Sequence, residues 1–226
     1  MAPLTIVFDL DGTLVDTAPD LIDTLNAIFA REGLGPVPYE KARTMIGGGP
    51  RRMIEAGLKF ERRSTNTEDV DRLFTDFIAH YSVHIADRSL PFPGLDTALD
   101  ALAVEGCNFA ICTNKLEGLS RLLLNALKLT PRFLAICGQD TFGIQKPDPE
   151  ILRRTIAQAG GDPTRAVMVG DSGTDIDTAR AAGIPVIAVD FGYTETPVTQ
   201  LGPDRVIGRY ADLPGAVRAV IGERVR

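Results

Sequence analysis

LTIVFDLDGTLVDT, residues 4–17, begins as a buried strand and ends in acid. Leu4 to Phe8 form a continuous apolar run, the pattern of a parallel strand covered on both faces. Asp9 and Asp11 follow, two residues apart, and Gly12 breaks the extended run. Aspartates are poor strand residues and repel one another. An extended chain places residues i and i+2 on the same side, so both carboxylates leave the strand end together. Something must offset their repulsion.

The remaining strands share this continuous apolar character. They are NFAIC (108–112), FLAIC (133–137), AVMVG (166–170), PVIAV (185–189) and the weaker RVIG (205–208). Helical patterns separate them over about 95–105, 116–127, 149–159 and 175–182. This alternation predicts an α/β fold, a doubly wound, Rossmann-like parallel sheet. Residues 17–90 interrupt it. They contain no convincing strand, and Leu21, Leu25, Ile28 and Phe29 mark one helical face. Val70, Leu73, Phe77 and Tyr81 mark another, with short helices over EKARTMIGG and PRRMIEAGL between them. Thr17 is the expected N-cap of the first helix, with Pro19 in its first turn and Asp20 at N3. SLPFPGLD (89–96) reads as the return linker. The division is therefore an α/β core of residues 1–16 and 91–226, and an all-helical domain of residues 17–90 inserted after the first strand.

With 226 residues, 44% hydrophobic and 24% charged, the chain has the composition of a globular protein able to build one core and a smaller insert. Its net charge of −6 disfavours nucleic acid and anionic membranes as partners. No apolar run reaches transmembrane length, and the N-terminal run lacks the basic stretch of a signal peptide. Cys107, Cys112 and Cys137 form no disulfide framework and read as small core residues. The expected location is cytoplasmic, as a monomer or homodimer.

Ligands of an open α/β sheet bind beyond the carboxyl ends of its strands. Those positions hold Asp9 and Asp11, Thr113 and Asn114, and Asp171 and Asp175, with Lys146 ahead of PDPEI. Singly, each has a structural reading. DG is a common turn, GDSGTD can lead into a capped helix, and KPDPE can start one with Asp148 as N-cap and Pro149 at N1. Together they gather four carboxylates, a lysine and a hydroxyl on one edge. Four such acids do not all stay ionised without a cation, and a hard divalent ion, Mg²⁺, takes oxygen ligands of this kind.

DLDGTLVD, ICTN, the lysine of KPDP, and GDSGTD resemble the four motifs of the haloacid dehalogenase superfamily of phosphohydrolases. The helical insertion falls where that superfamily carries its first type of cap. FDLDGTLVDTAPDL, MIGGGPRRMIEAGL and VDFGYTE resemble its bacterial phosphoglycolate phosphatase branch most. The resemblance implies Asp9 as the nucleophile that forms an aspartyl phosphate, and Asp11 as the acid and then base. It implies Mg²⁺ held by Asp9, Asp171 and the Asp11 backbone carbonyl, with Asp175 holding metal waters or Lys146. Lys146 would neutralise phosphoryl charge, and Thr113 and Asn114 would meet the phosphoryl group. Thr13 would either assist that cradle or support the turn. Asp11 favours a phosphate ester, because its proton serves an alkoxide leaving group.

Selectivity for the leaving group then rests on the insertion. In IGGGPRR (46–52), Gly47 and Gly48 expose backbone N–H groups, and Arg51 or Arg52 could pair with a carboxylate. The competing reading is a glycine turn with solvent-facing arginines. His80 and His84 have zinc-like spacing, but HYSVH lacks a third ligand and the glutamate of a zinc-protease helix. The leading expectation is a Mg²⁺-dependent phosphatase converting 2-phosphoglycolate, a small phosphorylated substrate, to glycolate and phosphate. The alternatives are a phosphatase of another small ester, a pyrophosphatase, a β-phosphoglucomutase and, outside enzymes, a phospho-accepting signalling domain.

Overall fold

The computed structural model describes residues 3–224. Six parallel strands form its main sheet: β1 (Thr5–Phe8), β4 (Asn108–Cys112), β5 (Ala135–Cys137), β6 (Ala166–Gly170), β7 (Val186–Val189) and β8 (Arg205–Ile207). Two further strands, β2 (Val15–Asp16) and β3 (Leu90–Pro91), form an antiparallel pair apart from it. The main sheet runs β5-β4-β1-β6-β7-β8. The chain travels outward from β1 through β4 and β5, then returns to the other side of β1 with β6. Thr5 accordingly pairs with both Asn108 and Ala166. This reversal brings the carboxyl ends of β4, β1 and β6 side by side, the place where such sheets bind ligands.

Successive residues of β1 enter opposite apolar layers, as a pleated strand requires. Ile6 and Phe8 join one cluster and Val7 the other, all three with no exposed surface. The first layer is covered by α5 (Leu95–Val104), α6 (Glu117–Ala126) and α9 (Leu213–Arg224), through residues such as Leu99, Leu123 and Val217. The second is covered by α7 (Pro149–Gln158) and α8 (Gly173–Ala182), through Ile151, Ile156 and Ile176. Both faces of the sheet are therefore dry, which explains why its strands read as unbroken apolar runs. Asp148 caps α7 by accepting from Glu150 N at 2.9 Å, with Pro149 in the first turn, as the sequence predicts.

Four helices stand between β2 and β3: α1 (Ala18–Arg31), α2 (Tyr39–Arg43), α3 (Pro50–Phe60) and α4 (Thr67–Val83). Helix α1 packs on all three others, and α3 on α4. Their apolar faces, including Leu25, Phe29, Ile54 and Phe77, continue the first sheet layer. The outgoing and returning links are joined twice. Val15 and Asp16 pair with Pro91 and Leu90. Asp20, almost fully buried, accepts from Arg88 N at 3.0 Å, Ser89 N at 2.8 Å and Ser89 Oγ at 2.6 Å.

That use of Asp20 corrects the expected capping of α1. Thr17 occupies the N-cap position, but its backbone is helical and its Oγ1 has no hydrogen-bond partner. The return linker, a partner distant in sequence, takes the carboxylate instead. The pair β2–β3 was also not expected. Two-residue strands carry no readable period, and Pro91 argues locally against one.

Candidate active site

Asp9 leaves the end of β1, where its N–H donates to Val169 O of β6 at 2.9 Å. Its side chain is 8% exposed. Lys146 Nζ lies 2.9 Å from Asp9 Oδ1 and donates to Asp175 Oδ1 at 2.6 Å. The first is a charge contact, and Asp9 Oδ1 has no hydrogen-bond partner. The other oxygen of Asp175 accepts from Ser172 N at 3.1 Å and Ser172 Oγ at 2.7 Å, which ties the start of α8 to the lysine. Asp171 Oδ1 accepts from Thr13 Oγ1 at 3.2 Å, and its Oδ2 accepts from Tyr193 N at 2.7 Å.

Asp9, Asp171 and Asp175 each bring a carboxylate oxygen within 4.8 Å of the others, and all three are buried. Burial pushes Asp9 up to about 6, with Lys146 opposing and Asp175 and Asp11 adding to the rise. Burial, then Asp175 and Asp9, push Asp171 up to about 8. For Lys146, burial disfavours the charge, but Asp175 and Asp9 outweigh it and hold the amine above the usual lysine range. One ammonium therefore stands against three carboxylates. An all-oxygen donor set with an unbonded Asp9 oxygen fits a hard divalent cation.

Asp11 has a different cationic partner. Its carboxylate receives Lys115 Nζ at 3.0 and 3.2 Å. Gly12 then turns the chain at φ +80°, and a Cβ there would stand 2.6 Å from Asp171 Oδ2. The turn that follows the two acids thus packs directly on the third. A small cavity opens beside Asp9 and Asp11. Leu21, Ile46, Gly47, Gly49, Pro50 and Met53 of the helical unit form its far wall, with Thr113, Asn114 and Lys115 on the sheet side.

Residues 6–189 match the model of the family described as haloacid dehalogenase-like hydrolase. The chain belongs to that family. It is 51% identical to a phosphoglycolate phosphatase of Mesorhizobium japonicum over 91% of this chain and 90% of the relative. Against a phosphoglycolate phosphatase of Caulobacter vibrioides it is 47% identical, over 94% and 90%. A solved structure named as a predicted phosphoglycolate phosphatase from Haemophilus somnus superposes with a TM-score of 0.87 at 27% identity, covering 95% of this chain and 97% of that one.

The haloacid dehalogenase-like site gathers most of the residues singled out in the sequence. Thr113 is buried, and its Oγ1 accepts from Lys115 N at 3.2 Å, leaving its own proton for another acceptor. Asn114 lines the cavity beside Thr113, and its amide is also bonded to the lysine loop. Its Oδ1 accepts from Lys146 N at 2.8 Å, and its Nδ2 donates to Lys146 O and to Gly47 O. It fixes the lysine loop and reaches the helical unit at the same time. Gly47 lines the cavity; Gly48 does not.

Arg51 is not brought to the site. It lies on the outer side of α3, 2.5 Å from Asp71 of α4 and over the Phe74 ring. Arg52 borders a separate outer groove with Glu55, Lys59 and Arg63. Helix α3 starts at Pro50, so the two arginines fall on its first turn facing away from the sheet. His80 Nδ1 lies 3.3 Å from Thr24 Oγ1, and His84 Nδ1 lies 2.7 Å from Asp87.

Two residues missed in the sequence complete the geometry. Lys115 is one, and its only signal was its place directly after ICTN at a strand end. Tyr193 is the other. Besides holding Asp171 through its N–H, its hydroxyl donates to Asp16 Oδ1 at 2.6 Å and accepts from Ala18 N at 3.0 Å. Arg43 of α2 donates to Phe191 O and Gly192 O and covers the Tyr193 ring. One loop thereby connects an acid of the site with the links to the helical unit.

Proposed function

We propose that this haloacid dehalogenase-like hydrolase converts 2-phosphoglycolate to glycolate and phosphate through an aspartyl phosphate on Asp9. The observation that carries the reading is Asp9 itself: a buried carboxylate with one oxygen free of hydrogen bonds, beside Lys146, at the wall of a small cavity. A phosphate ester entering there meets Asp9 as nucleophile. The Asp9 oxygen bonds to phosphorus while the ester oxygen departs, and Asp11 gives that oxygen its proton. Asp11 then takes a proton from the water that attacks phosphorus, releasing phosphate and restoring Asp9. Lys146 lowers the repulsion between Asp9 and the incoming anion, and Thr113 Oγ1 donates to a phosphoryl oxygen. Asn114 keeps Lys146 in place.

Mg²⁺, held by the Asp9 and Asp171 carboxylates and the Asp11 carbonyl, would offset phosphoryl charge and polarise its oxygens. Asp175 orients Lys146, and Thr13 orients Asp171. We assign residues 17–90 as the cap and residues 1–16 with 91–226 as the core, and we place the enzyme in the cytoplasm as a monomer or homodimer. The curated relatives named phosphoglycolate phosphatase and the small, mainly apolar cap wall support this substrate over larger esters or a bisphosphate. The three cysteines are free thiols, and among the described residues no helix is long and apolar enough to cross a membrane.

Phosphate release with Mg²⁺ across 2-phosphoglycolate, 3-phosphoglycerate, β-glucose 1-phosphate, pyrophosphate and p-nitrophenyl phosphate tests the assignment. The highest kcat/KM is expected on 2-phosphoglycolate, with the Asp9→Asn protein inactive. A higher value on any other member rejects the substrate assignment.

A further inference from the structure

Lys115 follows Thr113 and Asn114 beyond β4 and is 3% exposed. Among the described residues lining the cavity it is the one basic side chain. Its Nζ touches both Asp11 oxygens and donates to Tyr81 Oη at 3.0 Å, while lying 4.5 Å from the centre of the Tyr81 ring. Tyr81 belongs to α4 and has no exposed surface. A sheet-side ammonium is therefore braced by an aromatic residue of the helical unit. Burying a lysine is costly, and Asp11 offsets that cost in the absence of substrate.

The position has a chemical consequence. Asp11 serves the ester oxygen, so whatever hangs on the carbon beside that oxygen arrives next to Asp11 and to Lys115. The remaining cap wall, Leu21, Ile46, Pro50 and Met53, offers no charge. Arg51 is committed to Asp71 on the outer surface. We propose that Lys115, braced by Tyr81, receives a carboxylate of the substrate and selects phosphate esters bearing an anion on the carbon next to the ester oxygen. This rests on the reading of Asp9 and Asp11 as the phosphoryl-transfer pair. Lys115 shares its protons between Asp11 and the substrate carboxylate, and the Tyr81 hydroxyl keeps the ammonium from following either one.

The test compares 2-phosphoglycolate with ethyl phosphate, the same ester without the carboxylate charge. Lys115→Met is expected to lower kcat/KM on both, because Asp11 loses a partner, but by a further 10- to 100-fold or so on 2-phosphoglycolate, the size of one charge-assisted hydrogen bond. Tyr81→Phe leaves the buried charge pair intact and is expected to show a smaller loss with the same bias, mainly in KM. Equal losses on the two esters, in both variants, overturn the proposal and leave Lys115 as a partner of Asp11 alone. Calorimetric binding of both esters to the Asp9→Asn protein, with Lys115 intact or replaced, reads the preference without turnover. A carboxylate preference that persists without Lys115 overturns the proposal even where the phosphatase reading stands. A preference that disappears with Lys115 supports it even if no ester is hydrolysed.

Discussion

Replacing Tyr193 by Phe removes one oxygen atom and two hydrogen bonds. The hydroxyl donates to the Asp16 carboxylate at 2.6 Å and accepts from Ala18 N at 3.0 Å. Ala18 is fully buried at the start of α1, where its N–H has no intrahelical partner. A hydrogen bond to a charged acceptor contributes about 1.5–3 kcal/mol, and a buried donor left unsatisfied costs about 1–3 kcal/mol. Asp16 is partly exposed and regains water, so the two do not sum in full. The expected loss is about 3 kcal/mol, which for a chain of this size lowers Tm by roughly 6–12 °C. Urea unfolding should give a lower midpoint with an unchanged slope. The Tyr193 N–H bond to Asp171 is retained in this variant, so metal half-saturation should change less than the stability does. A stability loss below about 0.5 kcal/mol, the range of an ordinary surface substitution, would refute the claim that this hydroxyl fastens the links between sheet and helical unit.

Three further outcomes follow from the site. Asp9 is held near about 6 and Asp171 near about 8, both above the ordinary carboxylate value of 3.8. Raised acids make their stabilising contribution fully below the unfolded value and lose it as pH rises from 3.8 through about 6 for Asp9 and through about 8 for Asp171. The metal-free protein should therefore lose Tm across that window, saturating Mg²⁺ should restore it, and Mg²⁺ binding at pH 7 should release about one proton in calorimetry across buffers of different ionisation enthalpy. A Cβ at position 192 would lie 2.2 Å from Asp171 Cβ and 2.3 Å from its Oδ2. Gly192→Ala should cost about 1–3 kcal/mol by overpacking and raise the Mg²⁺ concentration for half-maximal activity about 10-fold. Arg51→Ala removes an exposed pair with Asp71 and a contact over the Phe74 ring, both outside the cavity, so kcat/KM on 2-phosphoglycolate should stay within about 2-fold and stability within about 1 kcal/mol.

The strands were legible because both faces of the sheet are covered, which leaves unbroken apolar runs at each one. Their order was not legible, since the pairing of Thr5 with both Asn108 and Ala166 depends on contacts distant in sequence. The acids and Lys146 stood out because carboxylates at strand ends are costly without a shared purpose. Lys115 did not, because a lysine beside a helix start ordinarily points to solvent; only the fold brings Tyr81 and Asp11 around it. Arg51 misled for the converse reason. Its neighbours Gly47 and Gly49 do line the cavity, but the turn of α3 swings the arginine to the outside. Asp20 had a good local role as a helix cap and a better distant one in joining the return linker.

The central claim is that Asp9 carries the phosphoryl group. Rapid acid quench of the enzyme with 2-phosphoglycolate and Mg²⁺, followed by peptide mass analysis, tests it directly. The prediction is one phosphoryl adduct, on Asp9, that disappears by hydrolysis once the substrate is exhausted and never forms in the Asp9→Asn protein. A phosphoryl group on any other residue, or full turnover by Asp9→Asn, would contradict the account.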